Sequence, residues 1–444
     1  SSPTVSGQPQ GVSNREGGLV CRRSEIEKTS KPFLIAKNSI AMASGYQAWQ
    51  KIQEDKSCLS LKKAFQKVSH LAESSYHAGV KLQDLTGMQS PLDALSASRN
   101  EGWSPSLFMQ LNDSVRADSI SARSQLMASQ ENWDLQTKRH LFKLDSELQR
   151  KMIERLRADM KLPSIERGGC VIDDVSLTRG FYESTRSAVE EYSEDFVQTM
   201  LDSLHEFGHE QYRRSLPEKY KGTVLGDVSG DMGDESAALF YENYVGRTPA
   251  FANYLYQILE KVLEHNIPKE LTPDLILQRL LSVHKQDNII GPDYIIYPVQ
   301  NAAVFEIART LIDDREGRES LPDLYRKYWK EYGLGNPDDT ESLTLATNKF
   351  HFFSGYFDRF AAYNAGHFGA AQLFEAMKED GIDLFESKAQ MNFDKIREWM
   401  NKSLYAYGNT LDITDILKCS TGKELDPSAV QSHNRDMINM SVTF

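Results

Sequence analysis

The sequence predicts an all-α, mostly helical protein that carries one small β hairpin. Apolar residues recur at three- and four-residue steps through most of the chain, as in Leu141, Leu144, Leu148 and Met152, which is the period of an amphipathic helix. The stretch 163–181 lacks this period and sets its apolar residues among Gly, Asp and Thr. That composition is typical of a short extended segment or hairpin.

The chain is predicted to consist of an arm and one body. Residues 1–30 are rich in Ser, Gly, Gln and charge, which predicts a flexible N-terminal arm. Residues 31–444 show no internal repeat and no long linker, so we expect a single helical domain. After the extended stretch, helices are predicted at 193–214, 234–246, 249–264, 272–283, 299–313, 321–332, 352–379 and 393–406.

Charge and cysteine content exclude several classes of partner. The net charge is −12, from 63 acidic and 51 basic residues, which argues against nucleic acid and against an anionic membrane surface. No apolar stretch reaches the ~18–20 residues of a membrane helix. Four scattered cysteines indicate reduced thiols and a cytoplasmic location. The chain starts at Ser1 without a Met, so a leader removed earlier is compatible with it.

The strongest chemical signal is the segment His205-Glu206-Phe-Gly-His209, at the end of an amphipathic helix. Residues four apart share one helix face, so the two imidazoles can bind one ion. Glu206 is turned about 100° from His205 and can reach water on that ion without being a ligand itself. Zinc lowers the pKa of such a water to about 7, and a carboxylate can then take its proton and pass it to the leaving group.

Glu235 is the predicted third ligand. It lies 26 residues after His209, in the first turn of a predicted helix. A carboxylate there is also favoured by the helix dipole alone, but beside the histidine pair we interpret it as a ligand. Two histidines and one carboxylate leave the fourth position open for water. The sequence therefore predicts a Zn²⁺ site at His205, His209 and Glu235, with Co²⁺ and Mn²⁺ as alternatives.

A glycine- and aromatic-rich run from His351 to Tyr363 supplies weaker candidates. Taken alone, a histidine such as His351 is more often packed or on the surface than catalytic. Arg359 is unusual in an aromatic stripe, because a guanidinium there generally has an anionic partner.

From about residue 60 to the C-terminus the chain resembles the carboxypeptidase Taq metallopeptidases. The HExxH element matches, and the segment 351–374 follows the family pattern "HW..G.F.YFP.Y.LG...AAQLF" without a gap. Further collinear matches are Asp234-Glu235-Ser236 on "HES", Tyr297-Pro298 and Phe305-Glu306 on "YP…RFE", and Thr421 to Pro427 on "TGEPLDP".

The resemblance implies a gluzincin-like helical saddle around a deep central groove lined by the hairpin, often in a homodimer. The family removes C-terminal residues from peptides. Carried over by position, the resemblance gives His351 a catalytic role at the oxyanion, shared with or replaced by Arg359. It gives Arg359, Tyr363 and Ser176 places in substrate binding.

Departures from the family pattern fall on the substrate side. The family's arginines are replaced by Ser176, Ile289 and Val304, and the tyrosine of "YFP" is Arg359. The "HPF" element is absent, while the metal set is intact. We therefore predict a metal-dependent hydrolase with altered specificity, whose substrate is a peptide or a small amide or amino-acid derivative, anionic ones included.

Two other hypotheses about the function are compatible with the sequence. One is a repurposed enzyme that acts on a small non-peptide molecule, as an amide hydrolase or a lyase. The other is a binding protein with a structural zinc, which is less favoured because structural sites fill the fourth position with a protein ligand. Arg359 is predicted to bind an anionic group of the substrate; the alternative is that it points away and pairs with Asp358 or another acid.

Overall fold

The computed structural model describes residues 32–100, 102–133, 135–165, 170–172, 177–283, 293–314, 320–386 and 389–444. For 32–40, 106, 136, 170–172 and 177 it describes the backbone alone. The predicted arm 1–30 lies outside these residues, and so do Ser176 and Ile289.

The described chain is mostly helical, as predicted. Before the sheet lie α1 (Pro32–Glu54), α2 (Cys58–Thr86), α3 (Pro91–Arg99), α4 (Pro105–Gln130), α5 (Leu135–Lys138) and α6 (Ser146–Asp159). After it come α7 (Phe196–Arg214), α8 (Gly230–Leu239) with a π-helical continuation (Phe240–Val245), α9 (Pro249–Val262), α10 (Pro273–Leu281), α11 (Tyr297–Ile312), α12 (Leu321–Glu331), α13 (Asp339–Asn348), α14 (Phe350–Phe353), α15 (Arg359–Glu379), α16 (Phe393–Ser403), α17 (Ile413–Thr421) and α18 (Ser428–Ser441). None of the helices within the described ranges is long and apolar enough to cross a membrane.

The β element is a three-stranded sheet rather than a simple hairpin. Its strands are β1 (Cys170–Ile172), β2 (Leu177–Arg179) and β3 (Arg186–Val189), in the order β1-β3-β2. The predicted extended stretch 163–181 contains β1 and β2, but these strands do not pair with each other: both pair with β3, which is antiparallel to β2 with Thr178 opposite Ser187. Strand β3 lies outside that stretch and was not expected, because four residues carry too little periodicity to reveal a strand.

Helix α7 follows from its sequence. The side chain of Asp195 accepts a hydrogen bond from the Val197 backbone N–H and so caps the first turn. The apolar stripe predicted from the three- and four-residue spacing is completely buried, at 0–1% exposed. The stripe consists of Phe196, Val197, Met200, Leu201 and Leu204. The same helix carries the HExxH element and packs against α8.

Two glycines let the neighbouring helices approach α8 closely. A Cβ at Gly208 of α7 would lie 2.7 Å from the carbonyl oxygen of Ala237, and one at Gly366 of α15 would lie 2.6 Å from Cβ of Glu235. Both distances are too short for real carbon contacts, so any larger residue would push a helix away. The close packing holds Glu235 between the HExxH helix and α15.

The predicted helix 352–379 is divided in the structure. Helix α14 ends at Phe353, and α15 begins only at Arg359. Gly355 lies between them with φ of +74°, a left-handed conformation that glycine adopts without steric cost. This break places His351 and Arg359 on separate helices.

A buried aromatic and histidine cluster makes the fold sensitive to acid. His433 packs against Tyr244 with ring centroids 4.4 Å apart, and the Tyr244 hydroxyl lies 3.2 Å from Nε2 of His367. Burial lowers the pKa of His367 to about 4, and burial together with the charge of His367 lowers the pKa of His433 to about 3. Both histidines are therefore neutral in the folded protein near neutral pH.

We expect His367 and His433 together to contribute a loss in the free energy of unfolding as the pH drops from 7 to 5. Unfolded histidines bind protons near pH 6.5, whereas these two bind them only at much lower pH, so acid favours the unfolded chain by about 2 kcal/mol per histidine at pH 5. Urea unfolding at both pH values measures the loss. His433→Leu should remove about 2 kcal/mol of the pH-dependent difference; an unchanged difference in that variant would contradict the prediction.

Candidate metal centre

The three predicted ligands converge. Nε2 of His205 lies 3.9 Å from Oε2 of Glu235, and Nε2 of His209 lies 3.8 Å from Oε1 of the same carboxylate. One donor atom from each residue lies within 4.8 Å of the other two. A zinc ion with bonds of about 2.0–2.2 Å to nitrogen and oxygen ligands fits among atoms spaced in this way.

Each imidazole is oriented by a second carboxylate. Nδ1 of His205 lies 2.8 Å from Oε2 of Glu242, and Nδ1 of His209 lies 3.2 Å from Oδ2 of Asp234. Asp234 is itself held by the Arg213 guanidinium, whose Nη2 donates to Oδ2 at 2.6 Å. Because the Nδ1 atoms face these acids, both Nε2 atoms face Glu235. Metal-binding histidines generally have such outer partners, which fix the tautomer and the ring direction.

The electrostatics of the cluster favour a cation. Burial alone lowers the pKa of His205, but the hydrogen bond to Glu242 and the charges of nearby carboxylates outweigh it and raise the pKa to about 10. Burial raises the pKa of Glu235 despite the opposing effect of the two histidines. Oε2 of Glu235 is buried and accepts no hydrogen bond from the described residues. A buried acceptor without a donor is costly, and a divalent ion would satisfy it.

Glu242 should contribute to metal affinity without binding the metal. Glu242→Gln removes the charge behind His205 while it keeps the side-chain volume, so we expect the affinity for zinc to fall about 10–100-fold. Competition with a chromophoric chelator measures the affinity. Glu218→Gln, a change at an exposed carboxylate, serves as the control. Equal affinity in the Glu242 variant and the control would contradict this role.

Glu206 follows His205 in the chain and is not among the residues whose donor atoms converge. Its side chain is 5% exposed, and its Oε2 accepts a hydrogen bond of 2.6 Å from Thr178 Oγ1 on β2. Glu206 is thus a fixed carboxylate that directly follows a metal ligand in the chain.

His351 and Tyr363 form a pair on the α14–α15 side. Nε2 of His351 lies 2.9 Å from the Tyr363 hydroxyl. Burial, helped by the charges of Lys349 and Arg359, lowers the pKa of His351 to about 3, so the imidazole is neutral. Burial and the nearby charge of Glu235 raise the pKa of Tyr363 well above its usual range. Tyr363 is therefore a neutral phenol close to the ligand carboxylate.

Arg359 has an internal partner that the sequence did not identify. Its Nη1 lies 2.8 Å from Oδ1 of Asp231, and its side chain is 29% exposed. Asp358, considered as its partner from the sequence, pairs instead with Arg99 at 2.9 Å. The charge of Asp231, with smaller contributions that include Glu235, raises the pKa of Arg359, and 29% exposure shows that the guanidinium is not in bulk solvent. The pairing with Asp231 matches the alternative of another acid as the partner, and binding of a substrate anion by Arg359 stays a prediction.

Sequence reasoning missed several polar residues around the centre. Glu242 follows Glu235 by seven residues, two helical turns, so this spacing could have revealed it. Asp234 is adjacent to the ligand in the chain. Thr178 was not assigned to the site, because it reaches Glu206 only through the sheet. Tyr297, at the start of α11, is the fourth residue of this kind. Burial and the charges of Glu235 and Glu242 raise the pKa of its hydroxyl.

Of the three residues that replace the family's arginines, only Val304 lies within the described part of the chain. Val304 is packed in the core of α11 at 1% exposed. Ser176 and Ile289 lie outside the described residues. Val304 therefore offers no polar group to a ligand.

Comparison with known proteins places the chain in a family. The model of the carboxypeptidase Taq (M32) metallopeptidases matches residues 22–437. The chain is 27% identical over 234 residues to carboxypeptidase 1 of Bacillus subtilis, which is 52% of this chain and 46% of that protein. It is 27% identical over 243 residues to thermostable carboxypeptidase 1 of Pyrococcus furiosus, again 52% and 46%. The match thus spans about half the length of these curated relatives.

Solved structures share the fold. An M32 carboxypeptidase from Deinococcus radiodurans R1 superposes with a TM-score of 0.84 at 18% identity, covering 99% of this chain and 86% of that one. Trypanosoma cruzi metallocarboxypeptidase 1 does so with a TM-score of 0.82 at 18% identity, covering 97% and 85%. The resemblance seen in the sequence is confirmed, and the chain belongs to the carboxypeptidase Taq (M32) metallopeptidase family.

Proposed function

We propose that this protein is a metal-dependent hydrolase of peptide or related amide bonds, with Zn²⁺ as the ion and Glu206 as the general base. The observation that carries the proposal is the convergence of His205, His209 and Glu235 within 4.8 Å, with the Glu206 carboxylate fixed beside it. Among the described residues no fourth His, Cys, Asp or Glu joins this group. An open position favours a catalytic over a structural centre, and membership in a metallopeptidase family supports the same reaction class.

Amide hydrolysis needs polarisation of the substrate carbonyl and transfer of a proton, and different residues of the chain serve these two steps. A divalent cation held here would polarise the substrate carbonyl and lower the pKa of a bound water. Glu206 accepts a proton from the attacking water while the water oxygen bonds to the carbonyl carbon. It then delivers that proton to the leaving nitrogen as the C–N bond breaks. One carboxylate thus acts as base and then as acid.

Tyr363 is the proposed donor to the developing oxyanion, and His351 acts through it. Nδ1 of His351 is buried without a partner among the described residues. A buried N–H without an acceptor is the rarer case, so we assign the single proton of this neutral imidazole to Nε2. Nε2–H then donates to the Tyr363 oxygen, and the phenol proton is left for the oxyanion. A donor placed where charge develops lowers the barrier by about 2.7–4 kcal/mol.

We infer that substrate specificity departs from ordinary C-terminal trimming. Val304 stands in the core where the family has an arginine, and serine and isoleucine stand at 176 and 289. The one cation near the centre that the sequence singled out, Arg359, is already paired with Asp231. A terminal carboxylate would therefore lack the charge-assisted partners that stabilise it, each worth about 1.5–3 kcal/mol.

This inference predicts the products of a peptide digest. With a mixed library of unmodified and C-terminally amidated peptides, we expect little progressive loss of C-terminal residues and little preference for a free carboxylate. Mass spectrometry of the digest over time gives the result. Stepwise C-terminal trimming that needs the free carboxylate would contradict altered specificity, although it would still support a hydrolase.

We further infer a cytoplasmic protein. Cys58 and Cys419 are exposed free thiols, and a reducing compartment keeps such thiols reduced. A homodimer remains a prediction from the family resemblance, to be tested by light scattering.

A further inference from the structure

Two hydroxyl groups of the sheet stand between two carboxylates of helix α7. Thr178 on β2 and Ser187 on β3 are cross-strand partners, and their hydroxyl oxygens lie 3.0 Å apart. Oγ1 of Thr178 is 2.6 Å from Oε2 of Glu206, and Oγ of Ser187 is 2.8 Å from Oε2 of Glu210. The four side chains therefore form a continuous line from the proposed general base into the core.

The Glu210 end of this line is fixed by two guanidinium groups. Nη1 and Nη2 of Arg157 donate to the two carboxylate oxygens at 2.9 and 3.1 Å. Nε of Arg214 donates to Oε1 at 2.7 Å. The side chains of Arg157 and Glu210 are completely buried, and the Arg157 guanidinium also lies over the Phe207 ring at 4.7 Å. Glu210 is thus a rigid acceptor that cannot swing away from Ser187.

The number of protons decides the direction of the hydrogen bonds. Thr178 and Ser187 have one hydroxyl proton each. Since Glu210 accepts from Ser187, the Ser187 oxygen presents lone pairs to Thr178. The Thr178 proton can then go to Ser187 or to the Glu206 carbonyl oxygen, each at 3.0 Å, or to the Glu206 carboxylate, at 2.6 Å. The charged acceptor at the shorter distance is the stronger one, so Thr178 donates to Oε2 of Glu206.

The Thr178 oxygen also lies 3.0 Å from the Glu206 carbonyl oxygen, which receives no proton from it while the hydroxyl donates to Oε2. Thr178 is 7% exposed and Ser187 is 1% exposed, so bulk water does not compete for these positions. The hydrogen bond from Thr178 to Oε2 fixes the orientation of the Glu206 carboxylate. It leaves Oε1 free to accept a proton.

We propose that Thr178 is a positioning residue for the general base: its hydroxyl holds Oε2 of Glu206, so that Oε1 is the oxygen that takes the proton from water and returns it to the leaving nitrogen. Ser187 and Glu210 keep the Thr178 hydroxyl in place from behind. This inference rests on the proposed function. It assigns a catalytic purpose to the small sheet, which otherwise makes a minor contribution to a helical fold.

The same hydroxyl pair accommodates both forms of Glu206 in the reaction cycle. When Oε1 has taken up a proton, the Glu206 carboxyl is neutral and attracts the Thr178 proton less. Thr178 can then rotate its O–H to Ser187, whose oxygen has free lone pairs. No buried donor loses its acceptor in either form, so the proton transfer avoids the cost of an unsatisfied group.

Substitutions at Thr178 test the proposal in the zinc-loaded protein. Thr178→Val removes the hydroxyl, Thr178→Ser keeps it, and Thr178→Ala removes it without steric demand should the valine variant not fold. Thr185→Val is the control, because Thr185 is an equally buried threonine of the same hairpin whose hydroxyl donates to the Tyr182 carbonyl and not to Glu206.

We expect kcat to fall about tenfold or more in the valine and alanine variants with KM within about twofold. The zinc content should remain one ion per chain, and the serine variant and the Thr185 control should stay within about threefold of wild type. Wild-type kcat in the valine or alanine variant would overturn the proposal. An equal loss in the serine variant would also overturn it.

Crystal structures of the zinc-loaded wild type and Thr178→Val give a readout that does not need activity. The proposal predicts that the Glu206 carboxylate leaves its wild-type orientation, or occupies two, in the variant. An unchanged Glu206 overturns it. If wild type cleaves no peptide or amide, the proposed function fails, and the crystal structures still decide whether Thr178 positions Glu206.

Discussion

Replacement of Glu206 by Gln is expected to lower kcat by about two to four orders of magnitude, the range that general acid–base catalysis supplies. The amide has nearly the same shape and can still accept a hydrogen bond from Thr178, but it cannot take a proton from water. Glu206 lies outside the set of converging ligand atoms. The fold and the metal content should therefore be those of the wild type.

Initial rates on the peptide that wild type cleaves best measure this effect, with zinc content determined on the same samples. Glu218→Gln, at an exposed carboxylate, controls for the chemical change itself. If Glu206→Gln keeps more than about a tenth of the wild-type kcat, Glu206 is not the base. If it loses metal as well, the residue has a ligand role that the geometry does not support.

Replacement of Glu235 by Ala is expected to abolish stable metal binding. Two imidazoles without a carboxylate form a weak site, because the anionic ligand contributes both a bond and the charge that offsets the cation. Glu235 is 7% exposed and lies against Gly366 of α15, so no other acid can move into its place easily. We expect loss of the ion during mild dialysis and loss of all turnover.

Elemental analysis after dialysis tests this expectation. Ser236→Ala is a suitable control, since Ser236 is the next residue of the same helix and its buried hydroxyl donates to the Met232 carbonyl rather than to the ligands. Full metal retention in Glu235→Ala would remove Glu235 from the ligand set. Equal metal loss in the Ser236 control would attribute the effect to helix packing.

The ligand set could be predicted from sequence because most of its geometry is local. The spacing of His205 and His209 fixes their relation within one helix turn, whatever the rest of the chain does. Glu235 needed an additional condition, the close approach of three helices, and Gly208 and Gly366 provide it. The role of these glycines depends on how the helices pack, which their positions in the sequence do not specify.

Other parts of the centre depend on contacts between distant segments. Thr178 reaches Glu206 through strand pairing, over 28 positions of sequence. Arg359 and Asp231 are farther apart in the chain and meet because α15 packs on α8. No periodicity or spacing carries that information, so the sequence indicated an anionic partner for Arg359 without identifying it.

The same distinction between local sequence patterns and contacts of distant segments applies to the fold. Long amphipathic helices such as α7 were predicted near their observed bounds, because their apolar stripes are buried. Helices α13, α17 and α18, of 10, 9 and 14 residues, were not predicted, although α10, with 9 residues, was. The central strand β3 was missed because its stability comes from pairing with β1 and β2 rather than from its own residues.

Anomalous diffraction from crystals grown with zinc tests the central claim most directly, by comparing data from the two sides of the zinc absorption edge. The account predicts one strong peak per chain, about 2.0–2.2 Å from Nε2 of His205, Nε2 of His209 and a carboxylate oxygen of Glu235, with no fourth protein ligand. A peak at any other site, or a fourth side chain bound to the ion, would contradict a catalytic centre built from these three residues.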